Sequence, residues 1–425
     1  MKPLNFTLRQ HTPMLHFQAS QEGATLRASD VKPRFDRWLI KKVWNDNFDE
    51  CCSYLVGYSD KFSEKQREDF KKKFEGGFRA LNYKMRIVVL SEDTPRSTHR
   101  ENQKGKMVSD CPMYFGAQME TISRDCRVEF IFTGYPIELK KAIEDNFTEF
   151  INSHNFGTRS SKGYGSFTVD GKIEIHNKLF YTTSGTYLDV LNEVDILYKT
   201  MRSGINFGGV YFKSLMFSYA KSMGLRWDKK TIKEAMLIDK ERKRQTKIWK
   251  APDVLSHNDR SEDKFDFRDA LGLSTSESWM FYGVNLSKNR SDDNKSLIKR
   301  FASPIMFKPV FCQKTKRWLV YIFWNELPDK IYEKEIVVSV YASKRMADKV
   351  HDKILDATSK NPMDLVTLRI HPEFRVADYI NYIFKHDNGK YKVSIDKQFA
   401  PGCRNKLVQE KIKRIYEELR ENYNK

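Results

Sequence analysis

The first 170 residues alternate between two kinds of apolar pattern, one with the period of a strand and one with the period of a helix. Leu4 to Arg9 alternates polar and apolar side chains, which predicts a strand with one buried face. A helical stripe follows, formed by Val31, Phe35, Trp38, Leu39 and Val43. Downstream, the pattern predicts a charged helix over 63–78, strands over 83–90 and 127–133, a helix from 136 to before 157, and a strand over 167–169. This succession is the βαββαβ order of a ferredoxin-like domain.

The helix with the apolar stripe has polar residues at its start that are typical of a helix N-terminus. Ser29 or Asp30 is predicted to cap it, and Pro33 lies early enough for its missing N–H to cost little. Cations surround the stripe; a solvated helix face explains many of them, while those at the helix start are well placed for a phosphate. They are Arg27, Lys32, Arg34, Arg37, Lys41 and Lys42.

The rest of the chain divides by pattern into a helical part and a second part with strands. Residues 91–111 are polar and have no apolar period, which predicts an insertion loop that a partner orders. Helices are predicted through 188–198, 215–223 and 231–250, then strands over 304–311, 318–324 and 336–341, then helices at 345–357, 372–384 and 408–419. We therefore predict an α+β protein with an N-terminal domain over 1–175, a helical, basic middle region over 176–275 and a C-terminal domain over 276–425.

The charge balance indicates the kind of partner. The 425 residues include 75 Lys and Arg against 56 Asp and Glu, which gives a formal net charge of +19 at pH 7. An excess of this size favours polyanions, above all nucleic acid, through the release of counterions. The basic run over 240–244 fits either a solvated helix face or a contact with nucleic acid.

Targeting signals and cysteine spacings indicate the compartment. The N-terminus lacks the apolar core of a secretory signal, and no stretch approaches the roughly 18 apolar residues that span a bilayer. The six cysteines have no C-x-x-C spacing, so neither a zinc site nor a disulfide framework is predicted. These features predict a cytoplasmic protein with reduced thiols and no membrane segment.

The densest group of candidate binding residues lies just before the strand predicted at 167–169. The segment reads Gly157-Thr158-Arg159-Ser160-Ser161-Lys162-Gly163-Tyr164-Gly165-Ser166-Phe167. Glycine permits positive φ and the close approach of a ligand, and successive backbone N–H groups form anion-binding nests. Arg159 and Lys162 add charge, and Tyr164 offers a ring on which a base can stack. Since the segment is neither a Walker loop nor a dinucleotide fingerprint, it predicts contact with a nucleic-acid backbone; a tight turn with solvated charges is the alternative.

Three segments of the chain carry a family resemblance. They are Thr12-Pro13 with the run from Leu26 to Trp38, the glycine-rich segment over 157–167, and Arg300-Phe301-Ala302-Ser303-Pro304-Ile305. Together they resemble the RAMP superfamily of CRISPR proteins, and in particular subunit one of the type III-B (Cmr) effector complex. That family has a strand ending in Thr-Pro, an Arg-x-Ser-Ser-Ile-Lys-Gly helix start, a Gly-x-Arg-Ser-x-x-Gly-x-Gly-Ser loop and a later Arg-x-x-Ser-Pro-Leu segment. The chain departs from the pattern at Asp30 and Pro33, where the family has Ser and Gly.

This resemblance implies two ferredoxin-like (RRM-like) RAMP domains, with the helical middle region as an insertion. It also implies a complex whose guide RNA pairs with a target transcript in antiviral defence. The subunit would contact the guide near its 3′ end and help to capture target RNA without cutting it. Its partners would be guide RNA, target RNA and the other subunits of a type III CRISPR effector complex, with no cofactor or metal. The residues expected to bind RNA are Arg27, Ser29, Lys32, Arg34 and Arg37 at the helix start, and Gly157, Arg159, Ser160, Ser161, Lys162, Gly163, Tyr164 and Gly165 in the loop.

Three other functions stay open on the sequence alone. A RAMP endoribonuclease that processes guide RNA needs a general base, for which His11, His16 and His154 are the candidates by position. A metal-dependent subunit that cleaves target RNA needs a loop aspartate, for which the candidates are Asp30, Asp36 and the pair Asp292-Asp293. A general basic nucleic-acid-binding protein has the same charge. We expect no catalytic residue, since Asp30 is explained as a helix cap and a lone histidine is more often structural.

Overall fold

A computed structural model describes residues 4–15, 25–90, 96–97, 99–101, 107–109, 120–122, 125–134, 136–171, 175–177, 179–238, 264–279, 284–288, 301–342, 363–385 and 404–425. Helices and antiparallel strands are mixed, with the strands in several small sheets, which confirms the predicted α+β class. None of the helices in these ranges has the length and hydropathy of a membrane span. Residue contacts divide the chain into two compact units, Met1–Asp195 with Met306–Phe323, and Ile196–Ile305 with Trp324–Lys425.

The strands within the described residues are numbered in chain order. They are β1 (Leu4–Gln10), β2 (Met14–Leu15), β3 (Lys84–Val89), β4 (Arg96–Ser97), β5 (His99–Glu101), β6 (Met107–Ser109), β7 (Glu120–Ile122), β8 (Cys126–Ile131), β9 (Phe167–Val169), β10 (Phe180–Thr183), β11 (Ile205–Asn206), β12 (Tyr211–Phe212), β13 (Ser276–Trp279), β14 (Val284–Lys288), β15 (Ile305–Cys312), β16 (Arg317–Trp324), β17 (Glu335–Ala342) and β18 (Met363–Arg369). The α-helices are α1 (Ala28–Trp44), α2 (Phe48–Cys51), α3 (Glu64–Glu75), α4 (Ile137–Asn152), α5 (Tyr187–Arg202), α6 (Leu215–Ser222), α7 (Asp228–Ile238), α8 (Asp329–Tyr332), α9 (Val376–Phe384) and α10 (Lys406–Tyr423).

The first unit is built on a four-stranded antiparallel sheet in the order β3-β8-β1-β9. Alternate residues of β1 and β8 are buried, because side chains alternate across a strand and only one face meets the helices. Phe35 from α1, Phe130 from β8 and Phe147 from α4 meet there, with ring centroids 4.9 to 6.0 Å apart. The predicted succession of strand, helix, strand, strand, helix and strand is present as β1, α1, β3, β8, α4 and β9.

Helix α1 buries the predicted stripe but begins differently from the prediction. Val31, Phe35 and Leu39 are fully buried. The residue in the cap position is Arg27, whose side chain makes no capping hydrogen bond, so neither Ser29 nor Asp30 caps the helix. Asp30 instead lies in the first turn, where a carboxylate is favourable to the helix dipole.

The segment between β3 and β8 contains short strands, although no regular structure is predicted for it. β7 pairs with both β2 and β4, and β5 pairs with β6. These strands are two or three residues long. An alternation of apolar and polar residues needs about four residues to be recognised, so the sequence pattern could not reveal these short strands.

A second sheet of the first unit has the order β10-β16-β15. β10 pairs with β16 through Phe180↔Tyr321 to Thr183↔Trp318. Residues 306–323, most of the β15–β16 hairpin, group with this unit, whereas the sequence pattern alone places them in the last of three segments.

The second unit contains an antiparallel sheet in the order β13-β14-β17-β18, which follows chain order. α9 packs against α6 and α10 through buried rings such as Tyr379 and Tyr416. β18 is not among the predicted strands. Because its strands succeed one another in the sheet, the described part of this unit does not display the βαββαβ order implied for a second ferredoxin-like domain.

A cluster of charged side chains is buried inside the second unit. Lys288 contacts Asp269 and lies 3.1 Å from Glu277 and 3.5 Å from Asp266. Arg268 binds Asp228 and lies 2.9 Å from Glu277. Each ion faces charges of opposite sign, which is the condition under which burial of charge is tolerated.

Candidate nucleic-acid interface

The glycine-rich segment forms a tightly folded loop between α4 and β9. Gly157, Arg159, Gly163 and Gly165 all have positive φ, between 59° and 88°. A Cβ atom at Gly165 would lie 1.9 Å from the carbonyl oxygen of Phe156, so no other residue fits there without a change of backbone. Gly165 therefore serves the packing of the loop on itself in addition to supplying a positive φ angle.

Thr12 and Pro13, which follow β1, support this loop, and the hydroxyl of Thr12 gives a physical reason for a threonine at this position. The Thr12 hydroxyl donates to the carbonyl of Gly163 at 2.6 Å and accepts from the N–H of Ser166 at 3.0 Å. The carbonyl of Pro13 accepts from the N–H of Gly165 at 2.9 Å. The side chain of Thr12 is fully buried, so these bonds form the floor of the loop.

The backbone carbonyls in the centre of the loop are turned inward. The carbonyl of Arg159 accepts from the N–H of Lys162 at 2.8 Å, and that of Ser160 accepts from Nδ2 of Asn155 at 2.8 Å. In a trans peptide, C=O and N–H point to opposite sides. The N–H groups of Ser160 and Ser161 therefore point away from these contacts, and no hydrogen bond from either is found within the described residues. Both serines are half-buried.

The charged and aromatic side chains of the loop are less exposed than the sequence suggests. The guanidinium of Arg159 lies over the ring of Tyr164, 5.6 Å from its centroid, and 3.8 Å from Asp195. Lys162 is half-buried. Tyr164 is fully buried beside Leu191 and Leu15, so in this conformation its ring offers no face to a base. Packing in the core therefore explains why a tyrosine stands at this position.

The predicted RNA-binding residues at the start of α1 fall into two groups. Arg27, Ser29 and Arg37 are exposed. Arg34 reaches the loop, since its guanidinium donates to the carbonyl of Asn155 at 2.9 Å and lies 4.9 Å from the ring of Phe156. Burial and the neighbouring Arg37 lower the pKa of Arg34. The structure thus brings α1 and the glycine-rich loop together.

Lys32 belongs to an internal network around Asp36. Its ammonium lies 2.5 Å from the carboxylate of Asp36 and 2.9 Å from the carbonyl of Leu81. Asp36 also accepts from the hydroxyl of Tyr83 at 2.6 Å and from the N–H of Leu81 at 3.1 Å. Burial raises the pKa of Asp36, and Lys32 opposes that rise. This network gives both Lys32 and Asp36 a structural role in the fold.

Two of the three candidate histidines are held in place by hydrogen bonds. His11 accepts from the N–H of Phe311 at Nδ1 (3.2 Å), and its Nε2 lies 2.8 Å from the hydroxyl of Thr168. Nδ1 of His154 lies 2.8 Å from the carbonyl of Phe150. Burial lowers the pKa of His11 to about 3 and that of His154 to about 4, with Lys308 adding to both shifts.

Several predicted candidates lie outside the described residues. They are His16, Asp292, Asp293, Arg300, the basic run over 240–244 and the helix at 345–357. Within the described ranges, no group of three or more His, Cys, Asp or Glu side chains is arranged to hold a metal ion.

One residue beneath the loop was missed by the sequence reasoning. Lys308 on β15 is fully buried, and its ammonium contacts the chain on both sides of the loop. A lone lysine within an apolar strand, in Ile305-Met306-Phe307-Lys308-Pro309-Val310, was the one available signal. A charged residue at a position expected to be apolar indicates a buried partner, but the pattern does not identify that partner.

Known protein families match nearly the whole chain. Residues 1–205 match the model of the Cmr1 N-terminal domain, and residues 211–413 match that of the Cmr1 C-terminal domain. No curated protein matches the chain significantly.

Proposed function

Because the chain belongs to the Cmr1 family of type III-B CRISPR effector subunits, we propose that it binds RNA within such a complex. It would contact the guide RNA near its 3′ end and help to capture target RNA in antiviral defence, in the cytoplasm. Its partners would be the two RNAs and the other subunits of the complex. The subunit would act by binding and would not cleave RNA.

The observation that carries this proposal is the polarity of the glycine-rich loop. Its central carbonyls are satisfied from inside, while the N–H groups of Ser160 and Ser161 point the other way. Outward N–H groups on adjacent residues favour an anion, and a phosphate oxygen is the anion that RNA offers. Arg159 and Arg34 place positive charge on two sides of the same loop.

We assign the contacts of the binding surface as follows. Ser160 and Ser161 would bind phosphate through their backbone, and Arg159 and Lys162 through charge. From α1, the exposed residues Arg27, Ser29 and Arg37 would contact RNA directly. Gly157, Gly163, Gly165 and Tyr164 would hold the loop in shape. Arg34 would hold α1 beside it, and Lys32 would hold α1 against Leu81.

We also propose that the first unit is a ferredoxin-like RAMP domain. The order β3-β8-β1-β9, with α1 and α4 packed on one face, supports this assignment. In this arrangement the loop that precedes the last strand of the sheet lies beside the N-terminal half of the first helix. The backbone of a single-stranded RNA bound by this loop and this helix is recognised through its phosphates. Such recognition needs no groove on the protein.

The histidines support binding without cleavage. A general base needs a free ring nitrogen close to the 2′-hydroxyl of RNA and a pKa near the working pH. His11 uses both ring nitrogens in hydrogen bonds, and the pKa of His154 is about 4. Neither is suited to accept a proton from RNA at neutral pH.

The proposal is tested by purifying the tagged protein from its native host, sequencing the bound RNA and identifying the bound proteins. Short guide RNAs together with other type III-B subunits are expected. Recovery of the protein alone, or with unrelated RNA, would overturn the proposal in favour of a general nucleic-acid-binding protein. Shortening of a labelled repeat RNA by the purified chain would point to an endoribonuclease.

The loop is tested by binding of labelled single-stranded RNA to the Arg159→Ala, Lys162→Ala double variant. We expect several-fold weaker binding. Because Arg159 is mostly buried against Asp195 and Tyr164, the melting temperature should fall as well, and binding is measured where melting curves show the variant folded. Lys65→Ala with Lys73→Ala removes the same charge from exposed positions of α3 and should leave affinity nearly unchanged. A large loss of stability with unchanged affinity would remove the loop from the binding site.

A further inference from the structure

Lys308 joins the two ends of the glycine-rich loop with one ammonium group. Its Nζ lies 3.0 Å from the carbonyl of Ile151 and 2.7 Å from that of His154, at the end of α4 before the loop. It lies 2.7 Å from the carbonyl of Phe167, in the first residue after the loop. The side-chain oxygen of Asn155 is 3.5 Å away. The width of the loop at its base is therefore set by a residue about 140 positions further along the chain.

The strand that carries Lys308 also fixes the inward carbonyls of the loop. The neighbouring Phe307 donates its N–H to the carbonyl of Ser161 at 3.2 Å. Its carbonyl accepts from Nδ2 of Asn155 at 2.7 Å, and the same nitrogen donates to Ser160. Phe307 thus holds the Ser161–Lys162 peptide directly. Phe307 and Lys308 both contact the side chain of Asn155, which holds the Ser160–Ser161 peptide.

The surroundings of Lys308 fit a charged ammonium. Three carbonyl oxygens within 3.0 Å match the three donors of an ammonium group, and the C-terminal end of α4 favours a cation. Burial and the nearby Arg34 lower the pKa of Lys308 well below its usual range, and the three carbonyl acceptors oppose this shift by stabilising the charged form. Among the described residues, no carboxylate forms an ion pair with it, which is the opposite of Lys288 with its three acidic neighbours.

We propose that Lys308 is a positioning residue for the RNA-binding loop, and that its buried charge strengthens the hold of the loop on a phosphate of single-stranded RNA. The proposal rests on the proposed function. A positive charge that is buried and has no acidic partner acts through a medium of low polarity, so water and salt screen it weakly. The electric field of Lys308 adds to the attraction that the outward N–H groups exert on a phosphate, although Lys308 does not touch RNA.

The test compares Lys308→Gln with Lys288→Gln in the full-length chain, by anisotropy of labelled single-stranded RNA between about 0.05 and 0.3 M salt. Both variants remove a fully buried ammonium, and both are measured where melting curves show them folded. We expect Lys308→Gln to weaken binding several-fold at every salt concentration, with an unchanged slope of log affinity against log salt. Lys288→Gln should lower stability and leave affinity unchanged.

The slope separates the proposed role from simple damage to the loop. Loss of the loop's own phosphate contacts lowers the slope by about 0.7 for each contact, whereas loss of a buried charge does not. Equal affinity of folded Lys308→Gln and the unchanged protein would overturn the proposal, as would a flatter slope. If the unchanged protein does not bind RNA, the proposed function fails instead.

A second pair of variants is informative even if Lys308→Gln does not fold. Asn155→Ala and Asn155→Asp both lose the amide donors, but the aspartate adds a negative charge beside Lys308. We expect Asn155→Asp to be the more stable of the two and the weaker RNA binder. If Lys308 had only a structural role, the more stable of the two variants would also bind RNA more tightly. That result would overturn the proposal.

Discussion

The guanidinium of Arg159 lies 3.8 Å from the carboxylate of Asp195, which is too far for a hydrogen bond, and both side chains are mostly buried. Its Nη1 is buried and has no hydrogen-bond partner among the described residues. The ion pair thus neutralises part of the charge of Arg159.

Asp195→Asn is therefore expected to tighten RNA binding several-fold, because it removes a negative charge that competes with phosphate for Arg159. The measurement is anisotropy of labelled single-stranded RNA at fixed salt. Glu149→Gln, which removes an equal charge from an exposed position, is the matched control and should change affinity little. Binding weakened to the level of an Arg159→Ala variant would mean that Asp195 holds Arg159 in position.

Gly165→Ala is expected to destabilise the first unit by about 3 kcal/mol or more, since positive φ and a steric clash both oppose a side chain there. Gly77→Ala provides the control, because Gly77 also has positive φ but has nothing within 4 Å of an added Cβ. We expect Gly77→Ala to cost about 1–2 kcal/mol, the strain alone. Urea unfolding measures both, and equal losses would show that the loop can move to accept the methyl group.

Acid is expected to destabilise the protein through His11 and His154. Their pKa values, about 3 and about 4 in the folded chain, lie below the value of about 6.5 for an unfolded histidine. The native state binds fewer protons, so their contribution is complete above pH 6.5 and is lost as the pH falls toward 4 and 3. At pH 5 the loss is roughly 2 kcal/mol for each histidine, since one pKa unit is worth about 1.4 kcal/mol.

Urea unfolding at pH 7 and pH 5 measures this loss. His11→Gln and His154→Gln should each flatten the dependence on pH, whereas His176→Gln, at an exposed position, should leave it unchanged. The same pH dependence in all three variants would assign acid sensitivity to other groups.

The parts of the fold that the sequence predicts are those with a long apolar period. The stripe through Val31, Phe35 and Leu39 identifies α1, and the terminal helix α10 is predicted in the same way. β9 has the predicted bounds because the glycine-rich segment ends at Phe167. The strands of two or three residues between β3 and β8 have no such signal. β18 does alternate apolar and polar residues from Val366 to Ile370, and the prediction missed it.

The candidate site is predictable only in part, for a different reason. Glycines and cations mark the loop in the sequence, but the sequence does not say which side chains turn inward. Lys32 and Arg37 look alike in the sequence, and only the first meets a buried carboxylate. Tyr164 reads as a stacking platform until its burial is known. The role of Lys308 depends on contacts with residues about 140 or more positions earlier in the chain. A local sequence pattern carries no information about such contacts.

The pairing of Lys308 with the loop has a consequence for synthesis of the chain. At about 5–20 residues per second, Lys308 follows Phe167 out of the ribosome after roughly 7 to 28 seconds. During that interval the carbonyls of Ile151, His154 and Phe167 have no ammonium to meet, so the loop cannot complete its native bonding. The loop of the nascent protein thus acquires its native shape only after Lys308 has been made.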